Sequence, residues 1–124
     1  MPRILIVDDN ADAADMLALL FSHFECAPAV AYSGPDALAL GSAVEPDLVL
    51  LDLGMPGMDG FETARRIRDT HWGKTVRIAA LTAWSDDATR ERVVVAGMDD
   101  HHVKPLPIEK IADVVRSLAT ARDG

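Results

Sequence analysis

Four short apolar runs and a fifth, more polar one punctuate the chain: Arg3-Ile4-Leu5-Ile6-Val7, Ala27 to Tyr32, Leu48-Val49-Leu50-Leu51, Val76 to Leu81, and Asp99 to Val103. The first and third show no polar alternation, which suits strands covered on both faces, as in a parallel sheet. Between the runs the period changes to that of a helix. Met16, Leu17, Leu20, Phe21 and Phe24 form an apolar stripe after Asn10, which is placed to cap the helix. Ser33-Gly34-Pro35-Asp36 reads as a cap and first turn of a second helix through about Gly41, ended by Glu45-Pro46. Asp59-Gly60-Phe61-Glu62 starts a third, with Phe61, Ala64 and Ile67 facing inward and Arg65, Arg66 and Arg68 solvated. Ser85-Asp86-Asp87 caps a fourth that stops near Gly97. From Pro107 a last helix carries Ile108, Ile111, Val115 and Leu118 on one face and Arg116 and Arg122 elsewhere, with the final few residues fraying.

Strand and helix thus alternate five times, which implies right-handed crossovers and a doubly wound α/β domain with a parallel sheet. At 124 residues the chain is expected to be a single domain, 1–124, and it shows no internal repeat or linker.

Composition narrows the function. The net charge of −8 argues against direct contact with nucleic acid, which needs clustered Lys and Arg. No run approaches the roughly 18 apolar residues of a membrane span, and the start lacks the layout of a signal peptide, so a cytoplasmic protein without membrane contact is expected. The one cysteine, Cys26, cannot make an internal disulfide and reads as a small packing residue.

The chemistry gathers at the strand ends. Leu48 to Leu51 stops at Asp52, and Gly54, Pro56, Gly57 and Gly60 forbid a regular continuation. In open α/β sheets that edge is where ligands bind; on this stretch alone, Asp52 also reads as a helix cap. The first strand ends in Asp8-Asp9, the fourth at Thr82 and the fifth at Lys104-Pro105. Singly, Thr82 is a β-branched strand residue and Lys104 a solvated lysine. Together they describe one site. Three neighbouring carboxylates repel, so one takes up a proton or a cation sits among them, and oxygen-only ligands in a small open site suit Mg²⁺. An aspartate beside Mg²⁺, a lysine and a hydroxyl can accept a phosphoryl group.

These residues resemble the receiver domain of two-component response regulators along the whole chain: Asp8-Asp9, Asp52 followed by Met55-Pro56-Gly57-Met58-Asp59-Gly60, Thr82-Ala83, and Lys104-Pro105. The resemblance implies a flavodoxin-like fold of strand order 2-1-3-4-5, with Asp52 phosphorylated by a histidine kinase or a histidine phosphotransfer protein. It also implies Mg²⁺ held by Asp9, Asp52 and the Gly54 carbonyl, Asp8 acting mainly through water, Lys104 pairing with the phosphoryl group, and Thr82 turning toward it. The Lys104-Pro105 bond is often cis in this family. The downstream protein target would read a surface of helix four, strand five and helix five, and the first helix would dock the phosphodonor.

Two positions depart from the usual pattern. Where the family carries a switch Tyr or Phe, three residues before the lysine, this chain has His101, within an Asp-His-His-Val-Lys-Pro pattern similar to receivers attached to hybrid histidine kinases. His101 reads either as the switch or as a surface residue of an edge strand; with His102 it is not a zinc pair, since adjacent strand residues face opposite ways. Trp84 falls where the resemblance places a residue gating access to the phosphoryl group, or else packs on helix four, whereas Gly54 offers no side chain over the pocket. A regulatory phosphoacceptor rather than a turnover enzyme is expected. A phosphatase with an aspartyl nucleophile would need a second Asp two residues on, and Leu53-Gly54 and Asp9-Asn10 do not supply it. Neither glycine-rich nucleotide-binding motif occurs. The remaining alternative is a receiver-shaped interaction module that takes no phosphate.

Overall fold

The computed structural model describes residues 1–123, with side chains described through Leu118. The Arg122 placement expected above falls outside the described side chains, and the closing residues expected to fray are helical through Asp123. Five strands, β1 (Arg3–Val7), β2 (Ala27–Ala31), β3 (Leu48–Asp52), β4 (Arg77–Thr82) and β5 (Asp100–Val103), alternate with α1 (Ala11–Ser22), α2 (Gly34–Val44), α3 (Gly60–Asp69), α4 (Asp87–Val95) and α5 (Ile108–Asp123). The strands form one parallel sheet in the order β2-β1-β3-β4-β5.

Alternate residues along β1, β3 and β4 feed two separate cores, because successive side chains leave a strand on opposite faces. Ile4, Ile6, Leu48, Leu50 and Leu81 pack with Phe21 of α1 and Ile111 and Leu118 of α5. Leu5, Val7, Val49, Leu51 and Ile78 pack with Ala37 of α2, Phe61 and Ile67 of α3, and Val93 of α4. Both faces being covered is why β1 and β3 are apolar almost throughout.

Side-chain oxygens cap four helices. Asn10, Ser33, Asp59 and Asp86 accept from the main-chain N–H groups of Ala13, Asp36, Glu62 and Thr89. The second helix runs three residues past the expected Gly41 to Val44, and Glu45 then turns left-handed at φ 51° before Pro46. Gly41 is an interior helix residue because the Trp72 ring occupies the space a Cβ would need.

Three expectations are corrected here. Met16 is 58% exposed, because α1 packs on the sheet through a narrower stripe centred on Ala14 and Phe21. Ile108, also 58% exposed, lies in the first turn of α5, before that helix settles on the sheet at Ile111. Arg68 is no solvated face. Its guanidinium donates to the carbonyls of Gly97 (2.9 Å), Gly73 (3.0 Å) and Val76 (2.5 Å) and to the Asp99 carboxylate (3.0 Å). One side chain therefore ties the end of α3 to the entry of β4 and the exit of α4.

Truncating Arg68 leaves three carbonyls without this donor. Arg68→Ala is expected to lower unfolding free energy by about 2–3 kcal/mol, read by urea denaturation, more than an ordinary surface substitution.

Candidate functional site

Register alone assembles the site. Val7 pairs with Leu51, Asp52 with Leu81, and Thr82 with Val103. The residues that follow, Asp8, Asp9 and Lys104, therefore emerge beside Asp52 and Thr82 at one edge. Behind them, α3 begins against the turn. A Cβ on Gly60 would lie 2.5 Å from the Asp52 carbonyl oxygen, so only glycine admits this approach.

Asp8 and Asp52 are buried and Asp9 is exposed. One carboxylate oxygen from each lies within 4.8 Å of the others, a grouping able to hold a metal ion. Asp8 is fully engaged: one oxygen accepts from the Asn10 N–H at 3.0 Å, the other from Lys104 Nζ at 2.8 Å. Lys104 Nζ also lies 3.3 Å from Asp52 Oδ1, which accepts from the Gly54 N–H at 3.2 Å. Gly54 leaves the pocket open, a Cβ there meeting only Asp52 Oδ1 at 3.9 Å. The Lys104-Pro105 bond is cis.

Burial pushes the Asp52 carboxyl above the usual carboxylate range; the Gly54 N–H opposes this, the charge of Asp8 adds to it, and Lys104 pulls it back. For Lys104, burial favours the neutral amine, but the hydrogen bond it donates to Asp8 and the charges of both acids outweigh it, so its pKa rises.

The other side of the site is a cleft of about 330 Å³ reaching from Asp52 past Thr82 and Trp84 to Arg92. The Thr82 hydroxyl donates to the Trp84 carbonyl at 2.8 Å, and so is turned toward its own loop. Trp84 is 69% exposed at the rim rather than packed on α4. His101 is half-buried, with Nε2 2.7 Å from Ser85 Oγ, which also accepts from Arg90 Nε at 3.1 Å. It is thus bonded into the β4–α4 loop rather than being a bare edge residue. His102 faces the other way, near Arg77 and Lys110, and burial holds its imidazole below its ordinary pKa.

Sequence reasoning missed Ser85 as a partner of His101, and Arg92. The only signal for Arg92 was a cation on a helix without a clear apolar stripe.

Residues 4–116 match the family model described as the response regulator receiver domain. The chain belongs to the response regulator receiver family. It is 38% identical over 116 residues to the transcriptional regulatory protein ResD of Bacillus subtilis, covering 94% of this chain but 47% of that protein. The receiver domain of a DNA-binding response regulator from Colwellia psychrerythraea superposes with a TM-score of 0.86 at 32% identity, covering 97% of this chain and 99% of that one. The chemotaxis protein CheY4 of Vibrio cholerae, at TM-score 0.90 and 24% identity, covering 95% of this chain and 98% of that one, shares the fold. The receiver spans about half the length of the transcription regulators it matches. Receivers of this family are phosphoacceptor signalling domains that work with kinases and downstream effectors. Among the described residues no helix is long and apolar enough to cross a membrane.

Because native Asp52 holds its proton more tightly than the unfolded chain does, stability is lost as pH rises from the ordinary carboxylate range through the raised native value. Asp52→Asn removes that loss. Without divalent metal at neutral pH, the variant is expected to be more stable by on the order of 1 kcal/mol, or about 3–6 °C in Tm. The difference should shrink as pH falls, followed by calorimetry.

Proposed function

We propose that Asp52 takes a phosphoryl group from a phosphohistidine on a histidine kinase or phosphotransfer protein, and that the receiver is a switch rather than a turnover enzyme. The observation that carries this is the buried Asp52 carboxylate, open to a cleft, beside both Lys104 and two further acids. An oxygen of Asp52 forms the new P–O bond as the donor's P–N bond breaks. The leaving nitrogen keeps the electron pair, a proton on the other ring nitrogen lets the ring depart as neutral imidazole, and the phosphoryl group becomes an aspartyl phosphate. Mg²⁺, held by Asp9, Asp52 and the Gly54 carbonyl with Asp8 acting through water, would neutralise charge on the transferring oxygens. The donor set fits a hard cation, being oxygen-only and part-exposed.

Lys104 can exchange its contact with Asp52 for one with the new phosphoryl oxygens while keeping Asp8. Thr82 gives up the Trp84 carbonyl to donate to another of them. That frees a loop also held by His101 through Ser85, which makes His101 the switch residue and the α4-β5-α5 surface the output. Trp84 gates the mouth of the cleft. The relatives named as DNA-binding regulators are about twice this length; this segment, at net charge −8, is proposed to contact proteins in the cytoplasm and neither DNA nor membrane.

With Mg²⁺ and acetyl phosphate, wild type is expected to gain one phosphoryl group by intact mass and to change its tryptophan fluorescence, while Asp52→Asn does neither. No adduct on wild type would sink the reading. Trp84→Ala is expected to speed loss of the phosphoryl group severalfold by admitting water; an unchanged rate removes the gating role.

A further inference from the structure

Among the described residues, two positively charged side chains line the cleft beside Asp52, Lys104 and Arg92. Lys104 is already engaged by the carboxylates of Asp8 and Asp52. Arg92, in the last turn of α4, is differently placed. Its guanidinium carbon sits 3.9 Å from the centroid of the Phe61 ring. Among the described residues no carboxylate lies within ion-pair distance of it. The same side chain forms part of the neighbouring groove between α3 and α4, with Phe61, Arg65, Ala88, Glu91 and Val95. Arg92 is therefore an exposed cation standing between two clefts, resting on an aromatic face, with its hydrogen-bonding fork uncommitted.

An exposed cation–π contact is weak and easily given up. A guanidinium offers paired, parallel donors that match the oxygens of a phosphoryl group, and its charge is retained at any working pH. We propose that Arg92 is a donor-recognition residue: as a small dianionic acyl phosphate enters the cleft, Arg92 leaves Phe61 and pairs with its anionic oxygens, delivering the phosphorus to Asp52. This rests on the phosphoacceptor reading and adds a specificity determinant to it. The transfer itself is unchanged in kind. For acetyl phosphate the P–O bond to acetate breaks, acetate leaves with the electron pair, and Asp52 takes the phosphoryl group. Arg92 raises the local concentration and orients the donor. Its effect therefore belongs to the second-order rate and to that rate's dependence on salt.

The test is the second-order rate of phosphorylation by acetyl phosphate in saturating Mg²⁺, followed by tryptophan fluorescence with intact mass as the endpoint, at two ionic strengths. Wild type, Arg92→Gln, Arg92→Lys and Phe61→Leu are compared, with the Tm of each. Arg92→Gln is expected to be about 5–20-fold slower, with a flatter salt dependence. Arg92→Lys should recover part of the rate and most of the salt dependence. Phe61→Leu should keep the salt dependence of wild type, and the Mg²⁺ titration should be the same in Arg92→Gln as in wild type. The proposal is overturned if Arg92→Gln reacts within about twofold of wild type. It is equally overturned if Arg92→Gln and Phe61→Leu lose rate and Tm together while salt dependence persists, since the contact would then only hold α4 on α3. A wild type that forms no adduct overturns the phosphoacceptor reading itself, an outcome distinct from either.

Discussion

Everything at the functional edge depends on one ammonium group shared between two buried carboxylates. Asp8 and Asp52 are brought together by strand pairing that the cores enforce, and in a half-dry pocket two like charges at that range repel strongly. Lys104 Nζ, at 2.8 Å and 3.3 Å, offsets the repulsion only in part. Burial, with the Asp8 charge adding to it, still leaves Asp52 with a raised pKa, while Asp8 has both oxygens committed to hydrogen bonds. The less satisfied of the two buried acids is therefore the one that opens onto the cleft. An incompletely compensated carboxylate next to an open space has affinity for a cation, a proton or an electrophile, and a receiver draws on that residual demand.

The sheet supplies the precision. Because β1 and β3 are held from both sides by separate apolar cores, their ends cannot drift, and groups carried on them keep their spacing without direct contact between distant elements. The fold's investment in burial is thus spent on a few polar atoms at its rim. The opposite edge of the site is made differently. Thr82 donates to the Trp84 carbonyl and His101 meets the Ser85 hydroxyl, single hydrogen bonds that exchange partners far more readily than a packed core rearranges.

Much of this was legible in the sequence because it depends on local pattern. Unbroken apolar runs ending in Asp8, Asp52 and Thr82 announced strands and their exits, and the capping residues fixed where four helices begin. What was hidden depends on contacts far apart in the chain. Arg68 looked like one of three solvated arginines, and only the meeting of three connecting segments makes it a tie. Gly41 looked like a helix stop until Trp72, thirty-one positions on, proved to fill its missing side chain. Met16 and Ile108 fitted helical stripes that were wider on paper than the faces the sheet covers. Arg92 had no pattern to betray it, since its aromatic partner belongs to another helix.

The glycine at the start of α3 has a mechanical meaning. With no atom beyond Cα, Gly60 lets the helix press against the Asp52 carbonyl, and its N–H reaches the Leu53 carbonyl at 3.3 Å. That wall of the pocket is a fixed jamb. In the switch proposed above, the α3 side offers a displacement at Asp52 no room, and the leaf left to swing is the opposite one, the Thr82 to Ser85 segment, as a door hung on one post. On that reading, the direction in which this domain speaks to its listener turns on a hydrogen atom where any other residue would carry a carbon.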